Sequence, residues 1–243
     1  MPRFFVSKEH ISDQFMVLTG ENAAHAKVLR LKNGDEVTVC DAEGTDYRCT
    51  VSDVASGQIS LVVHSVEPSQ SEAKVVCSIY MAFAKADKFE HVIQKATELG
   101  ASELICFPSS RCVSKPDEKS LKKKLERWQK IASSAAEQSR RGKIPTVLAL
   151  PSYEAALQRA ARSELAVCFY ENEENLTFRA AIEEKPFTTA AILTGPEGGF
   201  SEEEIQQASE AGLRICTLGS RILRCETAPL CALSALMYAK GEF

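Results

Sequence analysis

Short apolar runs separated by turn residues occupy the first quarter of the chain, and apolar runs alternating with amphipathic stretches occupy the rest. Residues 15–19, 36–40, 48–51 and 59–63 read as strands, Asp41-Ala42-Glu43-Gly44 as a turn, and 22–30 as a short helix between strands. Pro68-Ser69-Gln70-Ser71-Glu72 reads as a linker. Beyond it the period changes. Residues 75–83 form the next strand, and Asp87 with Glu90, at capping-box spacing, opens a helix that runs to Leu99 and stops at Gly100. Residues 104–107 read as a strand, a long helix starts near Glu118, and strands at 165–170, 190–194 and 213–218 alternate with helical stretches. This alternation predicts an α/β fold with a parallel sheet, preceded by a small β-rich unit, with the boundary between 1–70 and 71–243.

Parallel sheets bind ligands beyond the C-terminal ends of their strands, and two glycine-marked loops fall there. The first is Thr194-Gly195-Pro196-Glu197-Gly198-Gly199-Phe200, after the apolar run 190–193; the second is Leu218-Gly219-Ser220-Arg221-Ile222-Leu223-Arg224. Ser201 and Glu204 predict a capping box after the first loop, with Phe200 and Ile205 as a hydrophobic staple. Neither dinucleotide nor P-loop spacing is present, and Glu197 with three following glutamates would repel a polyphosphate. A neutral or cationic ligand fits better. Ile222 and Leu223 suit a flat apolar partner such as an adenine ring.

Charge changes this picture only locally. The formal net charge of −4 argues against a protein that coats nucleic acid indiscriminately. Residues 111–143, however, hold eleven Lys or Arg against four acids, a net +7. Leu121, Leu125, Trp128, Ala132 and Ala135 recur at helical steps there, so Lys122, Lys123 and Lys124 face away from an apolar stripe, as a solvated surface or as phosphate contacts. Cysteines are nine, scattered, and several (Cys77, Cys106, Cys168, Cys216) lie within apolar runs, as reduced core residues do. No ligand spacing predicts a metal, and no apolar stretch predicts a membrane span or a secretory leader, so a cytoplasmic location is expected.

The two loops, continued through Cys225-Glu226-Thr227-Ala228, resemble the signature of the bacterial 16S ribosomal RNA uracil-N3 methyltransferases, a branch of the SPOUT superfamily. Arg3-Phe4-Phe5-Val6, His25-Ala26-Lys27-Val28-Leu29-Arg30, Gln94–Gly100, Arg127-Trp128 and Ala136-Glu137-Gln138-Ser139-Arg140-Arg141 resemble the family in the same order. The resemblance implies a PUA-like β-barrel RNA-binding domain over 1–70, a knotted α/β methyltransferase domain over 71–243, and a homodimer through the latter. It implies transfer of a methyl group from S-adenosylmethionine to N3 of a uridine in 16S rRNA of the small ribosomal subunit. Leu193, Thr194, Gly195, Glu197, Gly198 and Gly199, with Leu218, Gly219, Ile222, Leu223, Arg224, Thr227 and Ala228, would hold the cofactor. Arg3, Arg30, Arg140 and Arg141 would contact RNA.

Uracil N3 is a weakly acidic imide, and a cation near its carbonyl oxygens would stabilise the charge that develops as its proton leaves. Arg224 is the first choice for that role and Arg140 the second, with Glu197, Glu226 or water as base. Ribose 2′-O methylation and a non-catalytic RNA-binding role are the alternatives.

Overall fold

The computed structural model describes residues 1–12, 14–85, 87–113 and 115–243. They divide into two compact units, 1–72 with 136–144, and 73–135 with 145–243.

In the first unit, β1 (Arg3–Phe5), β2 (Phe15–Leu18), β3 (Glu36–Cys40), β4 (Thr45–Ala55) and β5 (Gln58–Pro68) form one sheet in the order β1-β3-β4-β5-β2, with helix α1 (Gly20–Val28) between β2 and β3. Only β1 pairs in parallel, with β3. Register shifts in β4 after Arg48 and Val51 let the sheet curl around Phe4, Leu18, Val37, Val39 and Leu61. Strand β1 is absent from the sequence reading, since three residues are too few to show alternation.

Two arginines of this unit point inward. The Arg3 guanidinium holds both oxygens of Asp46 at 2.6 Å, and neither side chain is more than 7% exposed. Burial opposes its charge, and Asp46 outweighs that, so the Arg3 pKa lies above its ordinary value. Arg141 grips Glu72 through two nitrogens at 3.2 and 2.7 Å, and the same carboxylate accepts the N–H groups of Gly142 and Lys143. The assignment of Arg3 and Arg141 to RNA is therefore corrected: both are buried and bound to carboxylates that neutralise them. Arg30 and Arg140 are exposed instead, both with left-handed backbones at φ 57° and 62°.

The second unit contains β6 (Val76–Ala82), α2 (Lys88–Glu98), β7 (Glu103–Phe107), most of α3 (Glu118–Gln138), β8 (Thr146–Ala149), α4 (Tyr153–Ala160), β9 (Leu165–Phe169), α5 (Phe178–Glu183), β10 (Thr189–Thr194), α6 (Glu202–Glu210), β11 (Arg214–Cys216) and α7 (Thr227–Ala239). All six strands run parallel in the order β11-β9-β10-β6-β7-β8. Tyr80, Ile105, Cys168, Ala191 and Leu193 bury one face against α4 and α6. Phe169 meets Phe178 of α5 edge to face at 4.9 Å, and α7 packs on β6 and β10. The capping box expected at Asp87 does not form: its side chain makes no cap bond, and Glu90 is drawn to Arg127 at 2.7 Å. Among the described residues, no helix is long and apolar enough to cross a membrane.

Asp46→Ala would strand the Arg3 cation in the sheet interior, so a loss of about 3 kcal/mol is expected. A lower urea midpoint for the first unit would register it; an unchanged midpoint would contradict the role given to this pair.

Candidate active site

Strands β11, β9 and β10 are neighbours, and the loops leaving their C-terminal ends line a cavity of about 870 Å³. Ligand pockets span roughly 300–1,000 Å³, so this one can hold a molecule of nucleoside size.

The loop after β10 is held at both ends. Thr194 Oγ1 donates to the Tyr80 carbonyl at 3.3 Å, and the Gly199 N–H to the Pro196 carbonyl at 3.0 Å closes the turn. Gly195 lies so near Gly199 that a Cβ would stand 3.1 Å from its carbonyl carbon, and Gly199 itself has φ 66°. The exit is the capping box foreseen at Ser201 and Glu204, with mutual bonds of 3.2 and 3.0 Å. The other Glu204 oxygen accepts the Ser110 N–H at 2.7 Å, while Phe200 packs on Phe107 and Tyr153. Arg111 donates to the Gly198 carbonyl at 3.0 Å.

The loop after β11 opens on an isolated parallel bridge to Thr177, in which Thr217 bonds through its backbone to Leu176 and Phe178 at 2.9 and 3.1 Å. Gly219, at φ 100°, donates to Thr217 Oγ1 at 3.1 Å. The Arg224 carbonyl then accepts the N–H groups of Thr227 and Ala228 and starts α7. The loop after β9 supplies the third wall. Glu173 closes its own turn by accepting from Asn175 and Leu176, and the Glu171 carboxylate occupies the space that a side chain on Gly199 would need.

Charge on the wall is divided. Glu171, Glu173, Glu174 and Glu197 face the cavity with Lys88, Arg221 and Arg224. Lys88, at the start of α2, stands 3.2 Å from Glu197 Oε1, 3.4 Å from Glu226 Oε2 and 3.6 Å from Cys225 Sγ. Burial works against the Lys88 charge, but Glu197, Cys225 and Glu226 outweigh it and raise its pKa. For Glu197, burial opposes ionisation, yet the Lys85 N–H at 2.9 Å and Lys88 hold it below the ordinary carboxylate value. Glu226 is held down in the same way, burial being outweighed by a backbone N–H, the Cys225 thiol and Lys88. Burial pushes the Cys225 thiol up to about 11. Arg224 is exposed on the wall, and its guanidinium has no partner among the described residues.

Of the residues expected at a cofactor, Thr194, Gly195, Glu197, Gly198, Gly199, Leu218, Gly219, Ile222, Leu223, Arg224 and Ala228 line the cavity. Leu193 and Thr227 do not: the Leu193 side chain is buried under α4 and α6, and Thr227 is the first residue of α7. Arg140 belongs to the first unit and is not on the wall. The sequence reading missed Lys88 and the Tyr170–Glu174 stretch; the run of acids at 171, 173 and 174, directly after a predicted strand, was the available signal. Among the described residues no His, Cys, Asp and Glu cluster could hold a metal ion.

Comparison with known proteins shows the family to which the chain belongs. A family model described as an RNA methyltransferase domain matches residues 71–237, and one described as an RNA methyltransferase PUA domain matches 18–63. The chain is 38% identical to the ribosomal RNA small subunit methyltransferase E of Bacillus subtilis, over 98% of this chain and 96% of that one. The Neisseria gonorrhoeae protein of the same name, solved bound to S-adenosyl methionine, superposes with a TM-score of 0.87 at 30% identity over 98% of both chains. A Legionella pneumophila protein solved with the cofactor SAM gives 0.86 at 30% identity, over 98% of this chain and 97% of that one. A wall of three loops on adjacent parallel strands, and full-length likeness on either side of it, make this chain a member of the RNA methyltransferase family whose curated proteins are named ribosomal RNA small subunit methyltransferase E.

Proposed function

We propose that the enzyme methylates N3 of a specific uridine in 16S rRNA of the small ribosomal subunit, with S-adenosylmethionine as donor. One observation carries the reading: Arg224, without a partner among the described residues, stands on the wall of a glycine-lined cavity rich in carboxylates. The wall fits the donor on three counts. Its volume suits a nucleoside, its carboxylates suit a positive sulfur, and Gly195, Gly198 and Gly199 let the loop pack where a side chain would meet Gly199, Arg111 or Glu171, while Gly219 takes a left-handed turn.

When bound, S-adenosylmethionine supplies an electrophilic methyl, whose bond to sulfur breaks as the bond to N3 forms. Backbone groups of Thr194, Gly195, Leu218, Gly219 and Leu223 would hold the adenosine, with Leu223, Ala228 and the 84% exposed Ile222 against its ring. Leu193 and Thr227 would act through backbone and helix start alone. Arg224 would face the uracil carbonyls and stabilise the negative charge left as the N3 proton departs. Glu197 and Glu226 are weak bases, because Lys88 and backbone N–H groups stabilise their ionised forms; water takes the proton instead. N3 is engaged in a duplex, so the target uridine must be unpaired or flipped out.

The first unit would act as the PUA-like RNA-binding domain, with exposed Arg30 and Arg140 on phosphate; Arg140 serves there rather than in catalysis. The second unit would carry the trefoil knot, as the resemblance implies, and pair with a second copy, a pairing supported by exposed Tyr238 on α7 and exposed Phe243 beyond it.

Incubation with unmodified small-subunit particles and labelled donor, followed by nucleoside mass analysis, is expected to give 3-methyluridine; a 2′-O-methylated product would overturn the base assignment. Arg224→Ala is expected to slow transfer by on the order of 100-fold while leaving donor affinity within a few-fold. Near-native turnover would remove Arg224 from the mechanism. Gly199→Ala, which forces a side chain into a left-handed backbone against Glu171, should weaken calorimetric donor binding by about tenfold or more without unfolding the chain.

A further inference from the structure

Two carboxylates on separate cavity loops share one ammonium group. Glu197 belongs to the loop after β10, and Glu226 closes the loop after β11 where α7 begins. Lys88 Nζ reaches Glu197 at 3.2 Å and Glu226 at 3.4 Å, and donates to Cys225 Sγ, next to Glu226, at 3.6 Å. No other Lys, Arg or His forms an ion pair with either carboxylate among the described residues. Glu197 also accepts the Lys85 N–H, while Glu226 takes a hydrogen bond from the Cys225 thiol.

The side chain of Lys88 comes from α2, which belongs to neither loop. Its Cα is fixed by a helix whose Phe89, Val92, Ile93 and Ala96 are buried, so the ammonium is delivered from a rigid base. About a quarter of the side chain is exposed, which leaves the group partly desolvated and its electrostatic effect only partly screened.

We infer that Lys88 is a positioning residue that ties the two loops together across the cavity wall, and that without it the Glu197 and Glu226 charges repel and the wall opens. This inference rests on the reading of the cavity as the donor site. Lys88 acts through the loops, by setting the separation of the backbone groups that would hold the adenosine. Glu226 does not line the cavity, so its charge can be removed without altering the lining itself.

Calorimetry with S-adenosylmethionine, single-turnover methyl transfer and thermal melting on the full chain test the idea. Binding by the unaltered protein checks the donor site; the variants check the tie. Lys88→Met is expected to weaken donor binding by about tenfold or more. Lys88→Arg should stay within about threefold of the parent. Adding Glu226→Gln to Lys88→Met should recover most of the lost affinity, because only one carboxylate then remains. A residue that merely stabilises α2 would show the reverse, a lowered melting temperature and no recovery on removing Glu226. Donor affinity unchanged in Lys88→Met, or no recovery in the double variant, would overturn the inference. If Lys88→Met fails to fold, Lys88→Gln, alone and combined with Glu226→Gln, takes its place. Equal weakening by Lys88→Gln with and without Glu226→Gln would then overturn it, and recovery would support it.

Discussion

The parallel pairing of β11 with β9 and of β9 with β10 governs everything built above it. Each ladder bond sets register as well as adjacency, so Cys216 lies level with Phe169, and Leu193 with Cys168. Three segments separated by tens of residues thereby leave the sheet at the same height. Their first turns have no space to diverge, because Thr217 stays bonded to Leu176 and Phe178 and Thr194 stays bonded to Tyr80. A concave wall is the outcome of ladder geometry, before any ligand chemistry is considered.

Buried charge is treated differently in the two units. In the first, arginine and carboxylate meet pairwise with little solvent, as Arg3 does with Asp46 and Arg141 with Glu72, and the net result is neutral interior structure. In the second, carboxylates are gathered around a cavity and only some are balanced, Glu197 and Glu226 by Lys88 and Glu173 by its own turn. Glu171 and Glu174 remain on the same wall as Arg221 and Arg224. Tight one-to-one pairing builds a scaffold, and incomplete pairing builds a recognition surface.

Local signals were readable and distant pairings were not. The capping box at Ser201 and the apolar stripe ending in Trp128, Ala132 and Ala135 follow from neighbours in sequence, and the structure has them. The same logic failed at Asp87, where spacing suggested a box and Arg127, thirty-seven residues from Glu90, claims the partner instead. The resemblance put Arg3 and Arg141 on RNA, and nothing local announced their carboxylates, which lie forty-three and sixty-nine residues away. Strand β8 passed unnoticed since four residues at a sheet edge leave little periodicity, and the return of 136–144 to the first unit left no compositional trace. The glycine loops were legible because glycine reports backbone geometry; Lys88 and Glu171 were not, because their meaning lies in what faces them.

Cys225 sits on the wall of the same cavity, half a turn before α7. A thiol in contact with an activated methyl group would ordinarily compete with the intended acceptor, since sulfur anions are strong nucleophiles. Here burial raises its pKa to about 11, and its proton is engaged with Glu226 at 3.2 Å. Burial thus outweighs the Lys88 ammonium 3.6 Å away and disfavours the thiolate, so on the proposed reading the sulfur would be a poor competitor for the methyl group.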